Sequence, residues 1–240
     1  MNRFRTTRWS LVMDARGASA EAHRALEELC RIYRPPVLAY VRRRGHPAAE
    51  AEDLTQSFFE QLLRQRTWAV ADPLRGRFRV FLQVALKRFL SNQRVAAHAA
   101  KRGGGQVVLS LDLDPDRLPL AASDEGPDAA FEREWADAVL RQALAALQAE
   151  AAAAGKLALF DALRPFLFES PDADEYARIA ATLGMRRNTL AVAIHRLRQR
   201  LRERVRRELT ETVGDPAELD QELEVLQAAL GAPLAAARNL

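Results

Sequence analysis

Arginine crowds one stretch of this 240-residue chain: Arg186, Arg187, Arg196, Arg198, Arg200, Arg202, Arg204, Arg206 and Arg207, with Glu203 as the one acid among them. Guanidinium groups at this density neutralise phosphates, and singly they grip a guanine edge through two parallel hydrogen bonds. Asn188, Thr189 and His195 add amide, hydroxyl and imidazole groups to the same stretch. Acid–base and metal chemistry have no comparable cluster. Cys30 is the single cysteine, and His23, His46, His98 and His195 are scattered. Glu52 and Asp53 are neighbours on a predicted helix, where adjacent side chains diverge. The expectation is a chain that is not an enzyme and holds no metal and no cofactor.

The element that must position the arginines runs from Tyr176 to Arg198 and reads as a helix, a tight turn and a second helix. Ala180 leaves room for a partner helix, and Gly184 can take the left-handed conformation that ends a helix. Leu190, Ile194, Leu197, Leu201 and Val205 then mark a buried stripe at helical spacing. A helix-turn-helix of this kind lays its second helix in a major groove and reads bases from that helix's N-terminal part. Arg186, Arg187, Asn188 and Thr189 are the predicted readers, with His195 and Arg196 further along, and the other arginines are predicted to hold phosphates. The alternative is an amphipathic hairpin with a solvated arginine face.

A second basic segment, from Gly76 to Arg102, contains no acid at all. Its predicted helix starts at Phe78 and runs to about Ala100, with Leu82, Leu86 and Phe89 or Leu90 facing inward. Arg75, Arg77, Arg79, Lys87, Arg88 and Arg94 can neutralise phosphates there, and Asn92 can hydrogen-bond a base or a phosphate. Trp68, Phe78 and Phe81 are candidates for stacking on bases, though each also reads as a core residue.

The rest of the chain arranges itself around these segments. It is 48% hydrophobic and 7% aromatic, a helix-rich globular composition, and its net charge is only +4. One cysteine excludes an internal disulfide and suits a reducing cytoplasm. No apolar run reaches the ~20 residues that span a bilayer, and the N-terminus does not read as a signal peptide. Predicted helices follow Leu26–Tyr33, bent or restarted at Pro35-Pro36, and then span about Ala48–Arg66 with Leu54, Phe58 and Leu62 on one face. Three glycines at 103–105 open a segment with Pro115, Pro119 and Pro127, which reads as an extended linker. No Gly-Lys-Ser/Thr follows them, so a phosphate-cradling loop is not indicated. Trp135, Val139, Leu140, Leu144 and Leu147 form the stripe of the next helix. Past Leu209 the chain turns acidic, with Leu219, Leu223, Leu226 and Leu230 at helix-like spacing. The fold class expected is all-α: two small helical domains, 1–102 and 129–209, joined by a flexible linker, 103–128, and followed by an acidic extension, 210–240.

In this order the parts resemble the sigma-70 family of bacterial RNA polymerase sigma factors, in particular the small extracytoplasmic-function type with domains 2 and 4 alone. Arg31-Ile-Tyr33-Arg-Pro-Pro36-Val-Leu is similar to the opening helix of domain 2. Ala51-Glu52-Asp53-Leu54-Thr55-Gln56-Ser57-Phe58-Phe59 resembles the helix that binds a coiled coil on the polymerase β′ subunit. Gly76-Arg77-Phe78-Arg79-Val-Phe81-Leu82-Gln-Val84-Ala85 resembles the start of the −10 binding and strand-opening segment. Tyr176 to Arg198 resembles the domain 4 helix-turn-helix that reads the −35 element. The resemblance implies core RNA polymerase (β′ coiled coil and β flap) and promoter DNA as partners, with a Ser/Thr kinase or an anti-sigma factor as regulator. It places polymerase binding on Glu52, Asp53, Gln56 and Phe59. A stand-alone helix-turn-helix regulator is the competing function.

Two departures from the family pattern matter. Ala191-Val192-Ala193 stands where a basic residue and a serine are usual, so no base contact carries over to those positions. Ser57 stands where many relatives have a glutamate, and Thr55 where an aliphatic residue is common. Thr55 and Ser57 are therefore candidate phosphorylation sites, since a phosphate would restore about −1.5 to −2 of charge to the docking helix. The acidic extension has two readings: a helix that folds back on the arginines and competes with DNA, or one that is merely solvated.

Overall fold

The computed structural model describes residues 12, 19–66, 71, 77–101, 126–169, 172–210 and 218–230. Every regular element among them is a helix. In our numbering these are α1 (Ala20–Arg43), α2 (Ala48–Gln65), α3 (Phe78–Lys101), α4 (Pro127–Ala153), α5 (Leu157–Leu163), α6 (Ala173–Thr182), α7 (Arg187–Thr210) and α8 (Leu219–Leu230), with a 3-10 turn at Arg164–Leu167. They form two compact units. One draws on residues up to Trp135, and the other on 136–210 and 219–230.

In the first unit, Ser19 starts α1 by accepting the Ala22 amide at 3.2 Å. The helix then runs through Pro35 and Pro36 without ending. Sequence reading expected a bend or a restart there, because each proline removes a ladder hydrogen bond, and the helix does not restart. Burial of Tyr33, Pro36, Val37, Leu38, Tyr40 and Val41 on the same helix offsets that loss. Gly45, at φ +89°, turns the chain into α2.

On α2 the buried residues are Ala51, Thr55, Phe58, Phe59, Gln61 and Leu62, while Leu54 is only half-buried. The helical period puts Thr55 on the same face as Ala51 and Phe58. From α3 come Phe78, Leu82, Ala85, Leu86, Phe89 and Leu90. Edge-to-face rings tie the layers together, Phe58 to Phe89 at 5.6 Å and Tyr33 to Phe78 at 5.4 Å.

The boundary between the units falls inside α4 rather than at residue 129. Phe131 is fully buried against Tyr33, with ring centroids 6.4 Å apart, and Trp135 lies beneath Arg79. The first two turns of α4 thus complete the first unit. From Ala136 onward, Val139, Ala143, Leu147 and Ala151 are buried in the second unit.

In that unit Gly155, at φ +66°, ends α4, and Pro165 tightens the chain from α5 into the 3-10 turn. A capping box starts α6: Asp172 accepts the Asp174 and Glu175 amides, and Glu175 accepts the Asp172 amide. Gly184 takes φ +61°, and the Met185 amide reaches back to the Ala180 carbonyl at 2.8 Å. That pair of features is the left-handed helix stop expected of the turn. Leu190, Ile194, Leu197, Leu201, Val205 and Leu209 of α7 are all buried. The acidic extension is more than a solvated tail, because α8 buries Leu226 and the carboxylate residue Glu222.

Candidate nucleic-acid interface

The turn at Gly184 and the buried stripe of α7 together fix which side chains face outward. Arg186, Arg187, Asn188, Thr189 and Arg196 are exposed, and His195 is half-buried. Arg187 stands 5.8 Å from the Tyr176 ring, a cation–π contact that ties the first turn of α7 to α6. The amides of that first turn carry the positive end of the helix dipole, which favours a phosphate. Five of the six predicted readers lie in the N-terminal half of α7 and Arg186 just before it, all of them exposed but the half-buried His195.

The other arginines of α7 do different work. Arg198 is buried, and its guanidinium donates to the Phe166 carbonyl at 3.0 Å and the Glu169 carbonyl at 2.9 Å. It caps the end of the 3-10 turn and holds that turn against α7. Arg200 and Arg204 both pair with Glu150 of α4, the former at 2.5 Å. Arg206 reaches Asp220 of α8 at 3.4 Å. Arg202 turns Nε and Nη2 inward, with no hydrogen-bond partner for either among the described residues. The arginine run thus splits into an outward, exposed half and a half that holds the unit together. Spacing carried the signal for Arg198, which lies four residues after Ile194 and three before Leu201.

In the first unit the predicted phosphate-binding residues separate too. Arg79 is 4% exposed, pairs with Glu132 of α4, and lies 4.6 Å above the Trp135 ring. Gln83 donates to the same Glu132 oxygen at 3.1 Å. Arg79 is therefore a structural residue and not a DNA contact. Its spacing could have shown this, since it precedes Leu82 by three residues and Leu86 by seven. Lys87 pairs with Asp128 at 2.8 Å while staying one-third exposed. Arg77, Arg88 and Asn92 are half-buried and Arg94 is exposed. Phe78 is a core residue, and Phe81 stacks on it at 5.8 Å while half-buried. Arg75 and Trp68 lie outside the described residues.

The predicted docking helix, α2, needs two corrections. Phe59 is 9% exposed and packs edge-to-face on Phe58, so it belongs to the core and not to a docking surface. Thr55 is 0% exposed and its hydroxyl has no hydrogen-bond partner among the described residues, so no kinase can reach it in the folded unit. Ser57, Asp53 and Gln56 are exposed. Glu52 accepts from Arg34 at 2.5 Å and Arg42 at 3.2 Å, and Gln56 donates to Glu60 at 2.8 Å.

Cys30 faces Leu29, Phe59, Leu62 and Leu82 across a small apolar void. Burial pushes its thiol up to about 11, with the Glu27 carboxylate adding to the rise, so it carries no reactive thiolate at neutral pH. No group of three or more His, Cys, Asp or Glu that could hold a metal occurs among the described residues. None of the described helices is long and apolar enough to cross a membrane.

A chain whose described elements are all helices and whose second unit bares a basic helix behind a glycine-stopped turn has the geometry of a helix-turn-helix protein. The particular family comes from comparison. Over 202 residues the chain is 31% identical to the ECF RNA polymerase sigma factor SigE of Mycolicibacterium smegmatis, covering 84% of this chain and 69% of that protein. The chain belongs to the ECF family of RNA polymerase sigma factors. No family model matches it, and no solved structure does.

Proposed function

We propose that this chain binds core RNA polymerase through the outer face of α2, directs it to promoters through −10 and −35 elements, and helps open the strands at −10. The observation that carries this reading is the bare N-terminal half of α7 in a chain of the ECF sigma family. Docking falls to Asp53, Gln56 and Glu52. Two arginines already offset the charge of Glu52, which leaves Asp53 as the stronger acidic contact. At the −35 element, Arg186, Arg187, Asn188, Thr189, His195 and Arg196 face the duplex. At −10, Arg75, Arg77, Lys87, Arg88, Asn92 and Arg94 hold the displaced strand, with Lys87 exchanging Asp128 for a phosphate.

Ser57 is the position on α2 where a phosphate adds docking charge, being exposed and four residues from Asp53 on the same face. Under this reading Ser57→Glu binds core more tightly than the unmodified protein, and Ser57→Ala does not respond to a kinase.

The test is co-elution of the purified chain with bacterial core RNA polymerase, followed by permanganate footprinting on promoter fragments. Stable co-elution with reactive thymines near −10 is the expected result. A chain that ignores core, phosphorylated or not, yet holds duplex DNA by itself would instead be a stand-alone regulator.

A further inference from the structure

The outer face of α7 carries one large apolar side chain, Val192, which is 48% exposed. It lies two residues from both Leu190 and Ile194. At ~100° per residue this puts it roughly opposite the buried stripe, at the centre of the outward face. Asn188 and Arg196, both exposed, sit one turn before and after it. Ala191 and Ala193 flank it, and neither has a side chain long enough to hold the helix away from a groove floor. A helix seated in a major groove by this face brings the Val192 isopropyl group to the base edges before any hydrogen-bonding group except those at either end. A polar base edge pressed against it would lose water and gain no partner. The apolar group that duplex DNA offers in the major groove is the 5-methyl of thymine.

We propose that Val192 is a specificity-determining residue, selecting a thymine within the −35 element by contact with its 5-methyl group. This rests on the reading of α7 as the −35 recognition helix. The contact takes over a part of base recognition that hydrogen bonds would otherwise carry at the centre of the helix, while Asn188 and Arg196 bracket it.

The test uses the full chain reconstituted with bacterial core RNA polymerase. The holoenzyme selects from a promoter library randomised across the −35 element, and each selected thymine is then replaced singly by deoxyuridine, which removes the methyl group alone. One position should lose about fourfold in binding, the factor for taking one methyl group out of apolar contact. Val192→Ala holoenzyme should bind the thymine and uracil forms equally. Because Val192 is exposed, that variant keeps its fold, which circular dichroism checks. A selected element without thymine, indifference to every uracil substitution, or Val192→Ala holoenzyme that still discriminates would overturn the inference alone. A library that yields no −35 preference at all would remove the recognition-helix reading along with it.

Discussion

Thr55 separates two roles for the same helix, and its replacement gives a sharp test. Its side chain is fully buried beside Ala51 and Phe58, and its hydroxyl has no hydrogen-bond partner among the described residues. An unpaired buried hydroxyl costs about 1–3 kcal/mol relative to one that stays in water or finds a partner. Valine keeps the branched shape and removes the oxygen, so Thr55→Val should stabilise the first unit by about 1 kcal/mol. For a unit of this size that raises the melting midpoint by roughly 3–5 °C. Thr55→Glu places a carboxylate at the same point without a partner and should cost about 3 kcal/mol or more. Ser57→Glu, on the exposed face, should stay within about 0.5 kcal/mol of the parent. Urea and thermal unfolding followed by far-ultraviolet circular dichroism measure all three. The reasoning fails if Thr55→Val melts below the parent, or if Thr55→Glu melts with it. The same series decides how a phosphomimetic at position 55 is to be understood: lost polymerase binding in Thr55→Glu would report an unfolded α2.

Other consequences follow from the pairings. Arg79→Ala leaves the part-buried Glu132 without its cation and should destabilise the first unit by about 1.5–3 kcal/mol in urea unfolding; a variant as stable as the parent would return Arg79 to the DNA contacts. Arg198→Ala removes two hydrogen bonds that a buried guanidinium makes to the Phe166 and Glu169 carbonyls and should cost about 1–3 kcal/mol, whereas Arg196→Ala should keep stability within about 0.5 kcal/mol and lose promoter affinity in footprint titrations. The raised Cys30 thiol fixes a sign for alkaline conditions. The unfolded chain loses that proton near pH 9 and the folded one near 11, so stability should fall as pH rises through this window, by about 1–2 kcal/mol, and Cys30→Ala should remove the slope. Deleting residues 211–240 uncovers the surface that buries Leu226 and should lower the second unit's stability by about 1.5–3 kcal/mol, read from its melting midpoint.

The extension shows how pattern and packing divide the work. Its leucine spacing predicted a helix, and α8 is one, yet the destination of that helix came only with the fold. It lies along α7 with Asp220 at Arg206, beyond the helix's N-terminal half, and Arg186, Arg187 and Arg196 stay exposed. Competition with DNA by direct cover of those residues is not what this packing does.

What the sequence determined by itself was local. The helix-turn-helix was legible because a glycine at a required positive φ, a small residue before it and a 3.6-residue apolar stripe are each local chemical demands. The stripe also fixed which side of α7 faces outward, and so placed the exposed residues proposed to read DNA. The fate of the individual charges was decided only by tertiary structure. Arg79 and Arg198 look like their phosphate-seeking neighbours in sequence, but partners 53 and 32 residues away, Glu132 and the Phe166 carbonyl, draw them inside. Thr55 and Phe59 changed from surface to core for the same reason. A helix face becomes buried only when another element arrives to cover it, and the covering elements here are distant in the chain.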